Sequence, residues 1–84
     1  MFTTYILFSE RLQQHYTGHT ENFSARLLCH NQGGSDHTSK GIPWVVVYTK
    51  EHGTRKEAAG LEHHIKRVGV NIFLQSQAVS PRMG

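Results

Sequence analysis

The chain reads as a small α+β domain: a three-stranded antiparallel sheet flanked by helices, in the order β-β-α-β-α with a short final element. Three observations predict this. The runs at residues 2–8 (FTTYILF) and 44–49 (WVVVYT) are β-branched and aromatic. Two other stretches repeat apolar side chains at helical spacing, each opened by a capping residue and closed by glycine. A length of 84 residues leaves room for one core and no second.

Taken in order, residues 2–8 form the first strand, with Tyr5 and Leu7 on one face and Thr4, Ile6 and Phe8 on the other. Residues 9–14 are polar and suit a hairpin turn. His15 to Thr17 then make a short returning strand, ended by Gly18 acting as a turn residue. Thr20 is a good N-cap, and Phe23, Leu27 and His30 fall on one stripe, so a helix is expected from Glu21 to about Gln32, stopped by Gly33 and Gly34. Arg26 sits at the edge of that stripe and can reach back over the hairpin. The segment from Gly33 to Pro43 reads as loop and carries Lys40.

The near-continuous apolar run at 44–49 suggests a central strand covered on both faces. Thr54 to Glu57 (TRKE) is a capping box, and Ala58, Leu61, Ile65 and Val68 follow at helical spacing up to Gly69. Glu62 lies beside that stripe, where a carboxylate can look into a groove at the edge of the core. Residues 70–74 (VNIFL) must pack on something, as a short strand or a third helix. The domain is expected to span 1–75, with 76–84 as a loose tail.

Nine Lys and Arg against six Asp and Glu give a net charge of +3, which suits an anionic partner. A single cysteine, Cys29, excludes an intramolecular disulfide framework and fits a reducing compartment. No stretch approaches the ~20 apolar residues that span a bilayer. No secretory signal is expected, so the expected address is the cytoplasm.

Hydrolysing a phosphodiester needs an activated nucleophile, positive charge on the phosphoryl oxygens, a metal near the leaving oxygen, and positioning. Tyr5 and Tyr16, on paired strands, can face the same way; His19 and Arg26 follow on the turn and helix. Glu62 offers a hard oxygen ligand for Mg2+ or Mn2+. Read singly, each of these is an ordinary packing or surface residue.

The order TYIL, HYTGHT, an arginine ten residues after the second tyrosine, PWVVVY and EAAGLEHHIK resembles the GIY-YIG nuclease superfamily. It looks most like small members related to the N-terminal nuclease domain of the excision-repair endonuclease. The similarity runs from about Phe2 to Lys66. The resemblance implies that Tyr5 or Tyr16 acts as general base on the attacking water. It also implies that His19 relays a proton or contacts phosphate, that Arg26 steadies the phosphoryl charge, and that Glu62 holds the metal. Gly18, Lys40, Lys66 and Asn71 are the expected substrate-binding positions. The first motif reads Thr3-Thr4-Tyr5, without its glycine, and Thr17 stands where isoleucine or valine is common.

Two readings follow: a metal-dependent DNA endonuclease selecting structure, in repair or recombination and targeted alone or by a protein partner, or a non-cleaving nucleic-acid-binding or interaction module. The first requires Tyr5, Tyr16, His19, Arg26 and Glu62 to converge on one concave face.

Overall fold

The computed structural model describes residues 1–33 and 36–79. The elements are β1 (Phe2–Ser9), β2 (Gln14–Thr20), α1 (Phe23–Asn31), α2 (Asp36–Ser39), β3 (Trp44–His52), α3 (Arg55–Val68) and α4 (Val70–Val79). The sheet has three antiparallel strands in the order β2-β1-β3.

The first strand is therefore the central one, and this corrects the expectation for residues 44–49. Tyr5, Ile6 and Leu7 are 2%, 0% and 0% exposed, whereas Val45, Val46 and Val47 are 53%, 41% and 43% exposed. An apolar run reports what a strand is able to bury. Neighbours on both sides and helices on both faces decide what it does bury, and β1 has them. β3 is an edge strand.

The alternation along β1 divides the interior in two. Tyr5 and Leu7 join Trp44, with Tyr16, Phe23, Leu27 and Ile42 packed around them. On the opposite face Ile6 joins Ile65 and Phe73, with Tyr48, Leu61, Val68, Val70 and Leu74 alongside. The sheet thus separates a face covered by α1 from a face covered by α3 and α4.

Local chemistry sets the helix starts. Thr20 ends β2 and its hydroxyl accepts from the Asn22 N–H at 3.1 Å; the N-cap itself is Asn22, which accepts from the Ala25 N–H at 3.1 Å. The helix therefore begins two residues later than Thr20 capping would give. Thr54 caps α3 as expected, accepting from the Glu57 N–H at 3.2 Å.

Gly33, at φ 77°, and Gly69, at φ 100°, follow α1 and α3 in the left-handed region, where glycine carries no Cβ penalty. Residues 36–39, expected in a loop, form the single turn α2. Residues 70–74 belong to a helix, because Phe73 swings into the Ile6–Ile65 cluster and its N–H donates to the Gly69 carbonyl at 3.0 Å. That helix continues through residues 76–79 of the expected tail; residues 80–84, like Gly34, lie outside the described residues.

Candidate active site

Tyr5 stands in the middle of β1 and points under α1. Its hydroxyl lies 3.2 Å from His30 Nε2, and His30 Nδ1 lies 3.0 Å from the Thr38 hydroxyl of α2. The Thr38 carbonyl in turn accepts from the Trp44 indole N–H at 2.8 Å. Tyr16, on the same face of β2, stacks on Tyr5 at 6.3 Å and meets His30 edge-on at 4.9 Å. His30 is 2% exposed yet both ring nitrogens have partners, so its burial carries no orphaned polar atom.

Gly18 is not a turn residue. It lies inside β2, paired with Tyr5, and a Cβ there would fall 2.7 Å from the Tyr5 hydroxyl oxygen. The strand passes under the phenol only because this residue has no side chain. Gly18→Ala is expected to push the buried ring aside, break the Tyr5–His30 contact and cost about 1–3 kcal/mol. Urea unfolding and the His30 ring resonances check this.

On the opposite face, His19 Nδ1 lies 2.5 Å from Glu62 Oε1, and Lys66 Nζ donates to Glu62 Oε2 at 2.7 Å. His19 pairs with Thr4 across the strands, and the Thr4 hydroxyl donates to the Ala58 carbonyl of α3 at 2.8 Å. That bond fixes the turn of α3 immediately before Glu62. The register of β2 and the docking of α3 therefore set the His19–Glu62 pair together.

Arg26 is exposed on α1, beside a shallow hollow lined by Thr20, Asn22, Ala25 and Cys29. Its charge is felt by the residues beneath. Burial raises the Tyr5 pKa well above the usual phenol range, with the neighbouring Tyr16 adding to it; Arg26 lowers it and Glu62 raises it. Burial, then Arg26, lowers the His30 pKa and keeps the imidazole neutral at pH 7. Burial also raises the Glu62 pKa, but Lys66 and His19 together outweigh it, so the net shift is downward and the group is ionised at neutral pH.

This corrects the expectation that Tyr5, Tyr16, His19, Arg26 and Glu62 converge on one concave face: they divide between the two faces of the sheet, so a shared site would have to be formed around the β2 edge. Tyr5, Tyr16 and Arg26 lie on the α1 side and His19, Glu62 and Lys66 on the α3 side, gathered around edge strand β2. The Tyr5 hydroxyl is nevertheless subject to the charges on both sides. Lys40 is exposed after α2 and Asn71 is exposed in the first turn of α4. Among the described residues neither is hydrogen-bonded to another of these side chains.

His30 was not among the candidate site residues singled out from the sequence, and the structure places it against the Tyr5 hydroxyl. The signal was present: a histidine on the same stripe as Phe23 and Leu27 is a polar ring sent into an apolar core, and it needs partners there.

Among the described residues, no three His, Cys, Asp or Glu side chains are grouped to hold a metal ion. Glu62 is an ionised oxygen donor, its side chain 19% exposed. One carboxylate fits a hard cation that keeps waters and completes its shell with substrate phosphate oxygens, as Mg2+ does.

A family model described as the GIY-YIG catalytic domain matches residues 1–70. The UPF0213 protein SH2523 of Staphylococcus haemolyticus is 40% identical over 52 residues, covering 61% of this chain and 63% of the relative. The UPF0213 protein CPE1444 of Clostridium perfringens is 36% identical over 61 residues, covering 71% and 66%. The chain thus spans slightly less than two thirds of the length of these curated relatives. No solved structure matches.

Proposed function

The chain belongs to the GIY-YIG catalytic domain family, and on that premise we propose that it is a metal-dependent endonuclease hydrolysing DNA phosphodiester bonds. It selects DNA structure rather than sequence, using Mg2+ or Mn2+, in repair or recombination. The observation that supports this reading is the placement of one phenol within the matched domain: the Tyr5 hydroxyl lies 3.2 Å from His30 Nε2.

Each side chain then has a task. Glu62 holds the cation, oriented by His19. A bound divalent cation supplies positive charge at the phosphoryl group and the departing 3′ oxygen. Arg26 contributes positive charge toward the phosphoryl oxygens from the α1 side. Tyr5 takes a proton from the attacking water while passing its own to His30; with Nδ1–H donating to Thr38, Nε2 is the accepting nitrogen. Tyr16 keeps the Tyr5 ring in place by stacking, and Gly18 gives the phenol its path. Lys40 and Asn71 extend the contact along the DNA backbone.

Purified protein is expected to nick branched DNA faster than plain duplex, only with Mg2+ or Mn2+, leaving 3′-hydroxyl and 5′-phosphate ends. Cleavage that persists in EDTA would overturn the metal-dependent reading; equal rates on both DNAs would overturn the structure preference alone.

A second reading, a nucleic-acid-binding module without cleavage, draws on one observation. Both Glu62 oxygens are already engaged, by His19 and by Lys66.

A further inference from the structure

We infer that Lys66 is a tethered counter-ion occupying the cation position at Glu62, and that a DNA phosphate draws it off so that cation and DNA bind cooperatively. The inference rests on the reading of Glu62 as the cation ligand.

The two partners of the carboxylate differ in what they can do. His19 projects from a strand paired to β1, its side chain 25% exposed, and holds Oε1 from the sheet side. Lys66 lies four residues after Glu62 on α3, 57% exposed against 19% for the carboxylate, and holds Oε2 at 2.7 Å from the solvent side. A ligand arriving from water at Oε2 meets the ammonium first.

That ammonium is held loosely. It ends a flexible four-carbon stem, and exposed ion pairs four residues apart on a helix contribute little because water and salt screen them. Its charge still matters to a divalent cation, which must either displace it or sit beside it.

A phosphate at the site offers Lys66 another partner within reach of the same stem. Once Lys66 pairs with phosphate, Oε2 is open and the phosphate supplies the remaining hard oxygens for the cation. Each ligand then raises the affinity for the other by the same factor, as linkage requires. In the absence of DNA, the same contact holds the carboxylate in place.

The test is a calorimetric titration of Mn2+ into DNA-free protein, read as binding rather than cleavage, for wild type, Lys66→Met, Lys66→Arg and Glu62→Gln. Removing one positive charge from within ~5 Å of a divalent ion in a wet site is expected to tighten Mn2+ binding about tenfold in Lys66→Met. Lys66→Arg, which keeps the charge, is expected to stay near wild type, and Glu62→Gln to lose the site. Wild type is expected to gain affinity when a non-cleavable DNA is present, and Lys66→Met to gain much less. Equal or weaker Mn2+ binding by Lys66→Met, with Glu62→Gln still abolishing it, would overturn this inference and leave the cation-binding role of Glu62 standing. Unchanged binding by Glu62→Gln would overturn that role, and this inference with it.

Discussion

Glu62→Gln is expected to slow DNA nicking by about a thousandfold or more, equivalent to about 4 kcal/mol of transition-state stabilisation. The amide matches the carboxylate in shape but carries no charge for the cation. The protein should still fold, because α3 is anchored elsewhere, by the Thr4–Ala58 bond and by Ile65 against Ile6. Thermal melting at neutral pH checks this.

The pH dependence of stability gives an independent check. The folded pKa of Glu62 is lowered: burial pulls it up, but Lys66 and His19 pull it down further. A group with a depressed folded pKa stabilises the fold above the ordinary carboxylate range and loses that contribution as pH falls through the folded value. Wild type should therefore lose part of its margin over Glu62→Gln on acidification. A gap between the two melting temperatures that does not change with pH would contradict the ionised pair.

Tyr5→Phe is expected to lower the nicking rate by about a hundredfold to ten-thousandfold, the range for a positioned proton acceptor. The ring remains buried against Phe23 and Tyr16, so packing changes little. What is lost is the hydroxyl and the partner of His30 Nε2, a buried hydrogen bond whose removal costs about 1–3 kcal/mol. The pH profile separates chemistry from structure. Tyr5 is protonated at pH 7, as any phenol is, and burial raises its pKa further; His30 accepts its proton only while neutral. The wild-type rate should hold through the ordinary histidine range and fall below it, where His30 finally protonates. Residual cleavage by Tyr5→Phe should not show that fall.

Much of the fold was legible because the signals are local. Alternation in residues 2–8 placed Tyr5 and Leu7 against one interior and Ile6 against the other, and Thr54 and Gly69 marked the ends of α3. The parts that were not legible depend on partners distant in sequence. Three consecutive valines cannot reveal that their strand is an edge, since β1 took the middle by pairing on both sides. A glycine after a short strand pattern looks like a turn; it is the overlying Tyr5 ring that makes it a strand position.

The candidate site residues were named from the family resemblance, and their layout did not follow from it. The order of Tyr5, Tyr16, Arg26 and Glu62 suggested one concave face. The side-chain period of two instead sends His19 to the α3 side of β2 and Tyr16 to the α1 side. His30 gave itself away only as a polar residue on an apolar stripe. The competition of Lys66 for Glu62 depends on a side-chain choice that helical spacing permits but does not impose.

The central claim is that the two sides of β2 form one nuclease site, and single-turnover nicking by wild type, Tyr5→Phe, Glu62→Gln and the double variant tests it most directly. Residues that act together in one site lose their contributions together, so the double variant should be no more than severalfold slower than the slower single variant. Nicking by Glu62→Gln at the wild-type rate, or single losses that simply multiply in the double variant, would contradict it.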